Sequence, residues 1–167
     1  DFPIQQGNRI QFEENVLSAY TDFGKLEVAD ITLTEGARQE KNEMQLTVLQ
    51  VSEIDTPVSD FTLEPEGLWS RVSEMVNGKD IDFHSYPEFS RKYYLRGNEE
   101  TAIRQFFNEP VIRFLECHED VHLECHKNKL LFYKKRDLLD TEEIRSLIIF
   151  VESLMAIANR KSVAPLV

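Results

Sequence analysis

The sequence predicts an α+β fold, a single domain over residues 1–167 built on a mainly antiparallel sheet with three helices. Three observations predict it. The first third alternates apolar and polar residues at a period of two, later segments carry apolar stripes at helical spacing, and the pair Lys127-Asn128 separates two short alternating runs. Hairpins with helices appended favour an antiparallel sheet over the crossovers of a parallel one.

The first strand is read from Ile10–Phe12 and Val16–Tyr20, the second from Leu26, Val28, Ile31 and Leu33, and the third from Leu46, Val48, Leu49 and Val51. The alternation of Leu26 and Val28 slips by one at Ala29-Asp30, the pattern left by a β-bulge in the second strand. Glu35 to Asn42 is too poor in apolar residues to bury and reads as a solvent loop. At Glu64-Pro65-Glu66-Gly67 a proline takes a first-turn position that needs no N–H, and acidic groups meet the positive end of a helix. Leu68, Trp69, Val72, Met75 and Val76 make its stripe, and Asn77-Gly78 ends it.

Short strands follow near Ile81–Phe83 and Tyr93–Arg96. The second helix starts at Asn98 as N-cap and buries Ala102, Ile103, Phe106 and Phe107; Pro110 interrupts or restarts it, and Ile112, Phe114 and Leu115 carry its face onward. Val121–His126 and Lys129–Lys134 form a hairpin about Lys127-Asn128. The third helix spans Thr141 to Asn159: Asp140 caps it, Glu143 reaches back, and Leu139 staples onto Ile144. Its buried stripe is Ile144, Leu147, Ile148, Val151, Leu154, Met155 and Ala158.

Thirty Asp and Glu against 19 Lys and Arg give a net charge of -11, which repels a phosphate backbone and sets nucleic acid aside as a partner. The most apolar stretch, Ile144 to Ala158, is broken by Arg145, Ser146, Glu152 and Ser153, so no segment is long and apolar enough to span a bilayer. Two cysteines, Cys117 and Cys125, are too few for a disulfide framework and favour a reducing, cytoplasm-facing setting. The chain opens Asp1-Phe2-Pro3-Ile4 with neither an initiator Met nor a charged-then-apolar leader, so a longer native protein is expected.

The residue types that can carry chemistry each have a structural alternative. Cys117, His118, His122, Cys125 and His126 are of zinc-binding type, but no C-x-x-C occurs. On a strand, His122, Glu124 and His126 share a polar face while Cys125 points to the core, so adventitious metal binding is expected rather than a resident metal. Asp80, Asp82 and His84 could serve as an acid–base cluster, yet their alternation with Ile81 and Phe83 is that of a strand with one wet face. Nucleophile elbow, phosphate loop, H-E-x-x-H and dinucleotide fingerprint are all missing, and no cofactor is expected. In Tyr86–Gly97, Phe89, Tyr93 and Leu95 read as core. Lys92, Tyr94 and Arg96 fall on the opposite face as a candidate interaction patch, with Arg91 nearby.

Phe61-Thr62-Leu63-Glu64-Pro65-Glu66-Gly67, Asp80-Ile81-Asp82-Phe83, Pro87-Glu88-Phe89-Ser90-Arg91 and Tyr94-Leu95-Arg96-Gly97 resemble a family of uncharacterised bacterial proteins with membrane-spanning segments ahead of a soluble C-terminal domain. The resemblance extends more loosely to Asn15-Val16-Leu17 and Leu130-Leu131-Phe132-Tyr133. It implies a membrane anchor upstream of Asp1 and carries no activity or catalytic residue. Where family members have an aromatic-rich strand and a Gly-rich turn with Lys, this chain has Ala29-Asp30-Ile31-Thr32 and Glu35-Gly36-Ala37-Arg38. Two functional expectations follow. The first is a non-catalytic interaction or regulatory domain that binds a protein partner. The second is a metal-dependent or hydrolytic enzyme using the His122/His126 hairpin or the Asp82/His84 cluster.

Overall fold

Eight strands form one open antiparallel sheet: β1 (Asn8–Thr21), β2 (Gly24–Glu35), β3 (Asn42–Ser52), β4 (Phe61–Pro65), β5 (Lys79–Asp80), β6 (Tyr93–Gly97), β7 (Val121–His126) and β8 (Lys129–Lys134). Their order across the sheet is β1-β2-β3-β8-β7-β4-β6-β5. The structure, a computed structural model, describes the chain apart from residues 1, 3, 5–7, 36–41, 56, 67–77, 135–136 and 160–167, and gives the backbone alone for 8–12, 35 and 42. The described helices are α1 (Pro87–Lys92), α2 (Glu100–Phe106), α3 (Glu109–Glu116) and α4 (Thr141–Ala158). The architecture is α+β, with four described helices where three were expected. Among the described residues no helix is long and apolar enough to cross a membrane.

The extra helices have local causes. Pro110 has no N–H to continue a helix, so it restarts one: Asn108 caps α3 by accepting from the Val111 amide at 3.2 Å, with Pro110 in the first turn. The N-cap of α2 is Glu99, one residue beyond the expected Asn98. Helix α1 lies in the aromatic run, where Phe89 is its buried residue. The helix expected over residues 65–76 falls largely outside the described residues, and Pro65 itself ends β4, paired with Tyr93. Strand β4 was not anticipated. The strand expected at Ile81–Phe83 is instead the two-residue β5 followed by an irregular segment whose Ile81 amide donates to Leu95.

Two clusters of side chains bury the two faces of the sheet. The first face carries Leu26, Val28, Leu49, Val51, Leu63, Leu95, Leu123 and Phe132, and α2, α3 and α4 lie against it through residues such as Ile103, Leu115 and Val151. The second face carries Ala29, Ile31, Leu33, Leu46, Val48, Leu131 and Tyr133, covered by Phe2 and Ile4. Strand β2 serves both. Its pairing with β3 runs from Lys25↔Ser52 to Glu35↔Asn42 without a register shift, so the expected bulge in β2 is absent. The apolar pattern slips because burial changes face between Val28 and Ala29, not because a residue is inserted. A bulge sits directly across, on β1, whose pairing with β2 also shifts register between Ile10 and Phe12. Glu14 pairs with Asp30 and Leu17 with Val28, leaving Asn15 and Val16 opposite Ala29 alone. Asn15 takes φ 53°, and its side-chain amide donates to Asp30 at 2.8 Å.

The β7–β8 hairpin turns at Lys127 and Asn128, whose φ values of 50° and 58° are the left-handed pair that a two-residue turn matching strand twist requires. The Asn128 side chain then accepts from the Val58 amide and donates to the Ile54 carbonyl, tying the turn to the β3–β4 connection. Helix α4 opens as its sequence predicts. Asp140 accepts from the amides of Glu142 and Glu143, and the Glu143 carboxylate accepts from the Asp140 amide.

Candidate functional site

Polar side chains collect on the second face, where β4, β7 and β8 run side by side. Because side chains alternate along a strand, Phe61, Leu63, Leu123 and Cys125 enter the core while Thr62, Glu64, His122 and Glu124 point the other way. Thr62 stands opposite Glu124, and His122 opposite Tyr133. A polar face was expected for His122, Glu124 and His126. Instead His122 is 5% exposed and Glu124 1%, with Thr62 and Glu64 also buried.

Glu124 is held by two donors. The Ile4 amide reaches Oε2 at 3.1 Å and the Tyr133 hydroxyl reaches Oε1 at 2.9 Å. The His122 ring stacks on Tyr133 with centroids 4.7 Å apart and planes 12° from parallel. Burial strips water from the Glu124 carboxyl and pushes it up to about 7, against the opposing pull of the Ile4 and Tyr133 hydrogen bonds and with a further push from Glu64. Such a carboxyl can take up or release a proton near neutrality, an ability that sequence reading missed because Glu124 alternates like a surface residue.

The residues singled out from the sequence are dispersed. His126 pairs with Asp60 at 2.8 Å, and Asp60 also accepts from the Lys127 amide. His118 donates to the Phe114 carbonyl and lies against the Phe114 and Phe150 rings. Cys117 is exposed. Cys125 is buried, and that burial pushes its thiol up to about 12. Among the described residues no three His, Cys, Asp or Glu side chains are grouped to hold a metal ion. Asp82 and His84 are both exposed, and the Arg104 guanidinium donates to the Asp82 carbonyl. The Asp80 carboxyl is raised by partial burial and by Asp82, with Arg96 acting the other way.

Tyr94 and Arg96 share the face opposite buried Tyr93 and Leu95, and both are half-buried. The Arg96 guanidinium lies over the Tyr94 ring, 4.5 Å from its centroid, and donates to the Tyr94 hydroxyl at 2.8 Å. Lys92 precedes this strand. It ends α1 and donates to the carbonyl of Glu116, the last residue of α3, at 2.6 Å. Arg91 is exposed and pairs with Glu88.

The largest exposed apolar side chains on any one strand are on β1, where Val16, Leu17 and Tyr20 are 50%, 69% and 76% exposed. Among the described residues this strand ends the sheet and pairs with β2 alone. Glu13 and Glu14 precede the apolar group and Asp22 follows it, all exposed. No family model, curated protein or solved structure matches the chain.

Proposed function

We propose that this chain is a non-catalytic interaction or regulatory domain of a membrane-anchored bacterial protein, and that it docks a protein partner along the outer edge of β1. The exposure of Val16, Leu17 and Tyr20 on a sheet edge carries this reading. An edge strand offers backbone N–H and C=O groups to an incoming extended segment, and apolar side chains beside them add contact area that water would otherwise cover. Leu17 and Tyr20 lie on opposite faces of β1, and Glu13, Glu14 and Asp22 flank them in sequence, so the complementary partner is an extended segment with apolar residues bracketed by Lys or Arg. Tyr94 and Arg96 are a lesser candidate because they are half-buried and engaged with each other.

The membrane anchor lies outside this chain and rests on the resemblance of the Phe61–Gly67, Asp80–Phe83, Pro87–Arg91 and Tyr94–Gly97 segments to anchored bacterial proteins. The cytoplasmic placement rests on cysteines that form no disulfide. The test is site-specific photo-crosslinking in the membrane-inserted, full-length protein. A photoreactive residue at Leu17 or Tyr20 is expected to give a discrete protein adduct, and one at exposed Glu152 on α4 to give none. Absence of adducts from β1, or equal adducts from Glu152, would reject the reading; an adduct of the chain with itself would replace the partner by a second copy.

A further inference from the structure

The hairpin of β1 and β2 decides which backbone groups of β1 face the open edge. Thr21 and Gly24 pair across the two-residue turn Asp22-Phe23, so their N–H and C=O groups bond to each other. Bonded and open pairs alternate along an antiparallel ladder, so Ala19↔Leu26 and Leu17↔Val28 are bonded pairs as well. Ser18 and Tyr20, which fall between them, therefore direct their N–H and C=O groups away from β2. Past Leu17 the repeat breaks, because Asn15 and Val16 stand together opposite Ala29.

Side chains on both sides of this edge are open too. Leu17 and Ala19 lie on the helix-bearing face with Val28 and Leu26, whereas Ser18 and Tyr20 lie on the opposite face with Glu27 and Lys25. Every residue from Glu13 to Tyr20 is exposed. A strand that adds to a half-covered sheet alternates apolar and polar residues, but one that adds here meets Leu17 on one face and Tyr20 on the other. Building on the docking reading of β1, we propose that the partner segment is a short run of consecutive apolar residues between Lys or Arg, bonded to β1 through Ser18 and Tyr20. The residues opposite Ser18 and Tyr20 lie beside the Tyr20 ring, and the one opposite Ala19 lies beside Leu17.

The bulge sets the length of the run. Regular pairing needs a two-residue repeat, which β1 offers from Leu17 to Thr21 and loses at Asn15 and Val16, so the paired centre is the three residues opposite Ser18, Ala19 and Tyr20. Charges outside that window select its flanks. Glu13 and Glu14 lie beyond the bulge and Asp22 lies in the turn, whereas Lys25, across from Tyr20, is engaged by Glu27 at 2.7 Å. A second copy of this chain would bring its own Glu13, Glu14 and Asp22 to the edge and set a net charge of -11 against another, which disfavours self-pairing.

The experiment measures amide hydrogen exchange of the intact chain by NMR, with and without a synthetic peptide of three consecutive valines between paired lysines. The peptide is expected to slow the Ser18 and Tyr20 amides severalfold and to leave those of Leu17 and Ala19, already bonded to β2, unchanged. Replacing its central valine by serine, or its lysines by glutamates, is expected to weaken the protection. Ser18→Pro removes an outward N–H and spares the ladder to β2, so it is expected to abolish protection at Tyr20 with a nearly unchanged melting temperature. Ala19→Pro removes a ladder bond and is expected to lower the melting temperature. Should Ser18→Pro not fold, a peptide N-methylated at all three valines must fail to protect the wild type. No protection, equal protection by the serine or glutamate peptide, protection at Leu17 and Ala19 instead, or Ser18 and Tyr20 amides already covered by a second copy in the free chain would each overturn the proposal. Discrete photo-adducts from Leu17 or Tyr20 in the same protein would then show that the docking reading stands without it.

Discussion

Thr47 and Asp30 face each other across β3 and β2, and the Thr47 hydroxyl donates to the Asp30 carboxylate at 2.6 Å. The same hydroxyl accepts from the Leu139 amide at 2.9 Å, and the Thr47 amide donates to the Asp137 carbonyl. One fully buried side chain thus joins two strands to the segment that leads into α4.

Replacing Thr47 by the isosteric Val keeps the volume and removes both hydroxyl bonds, stranding the Leu139 amide and one Asp30 oxygen. The expected cost is about 1–3 kcal/mol, the range for a buried polar group left without its partner. Urea denaturation will read it as a lower midpoint with an unchanged slope.

Along α4 the buried positions are Leu147, Phe150, Val151, Leu154 and Met155, whereas Ile144 and Ile148 are only partly covered. Val151→Asp forces a charge into the core between α4 and the sheet and is expected to cost more than about 3 kcal/mol. Ile148→Asp can turn its carboxylate toward water and is expected to cost less than half as much. Thermal melts of the two variants side by side test the order, and equal losses would contradict the burial pattern.

Glu124 makes a separate prediction for folding. Its carboxyl holds a proton more tightly in the folded chain than in the unfolded one, so its stabilising contribution is complete below 4.5 and is lost as pH rises to about 7. Over that interval the wild type is expected to lose up to about 3 kcal/mol relative to Glu124→Gln, and to lose no more at higher pH. Denaturant midpoints of both proteins across the range measure the difference, which cancels the titration of the other carboxylates.

Much of the fold was legible because its signals are local. The Asp140–Glu143 capping box, the Lys127-Asn128 turn and the Pro110 break each act within a few residues of themselves, so spacing alone reveals them. Strand β4 was hidden because Glu64-Pro65-Glu66 also has the composition of a helix start, and only pairing with β6 and β7 decides the matter. The buried polar face was hidden for a related reason. Thr62, Glu64, His122 and Glu124 alternate with apolar residues as surface positions do, and what covers Glu124 comes from Ile4, far away in sequence. The exposed apolar residues of β1 were read as ordinary strand, since apolar residues alone do not distinguish an edge from an interior.

The change of buried face within β2 fixes that strand's spacing while leaving its composition comparatively free. Removing one residue between Leu26 and Leu33 would reverse every side chain beyond the deletion, turning Ile31 and Leu33 toward the helices and Thr32 and Thr34 toward Phe2 and Ile4. Swaps among Val, Ile and Leu can be absorbed singly, but a change in count corrupts both sides of the sheet at once. Strand β1 already holds its own extra residue at Asn15 and Val16 and has an open side to accommodate it. Within the first two strands, insertions and deletions that the fold survives therefore fall in β1 and in the turns that bound β2, whereas the interior of β2 admits only substitutions.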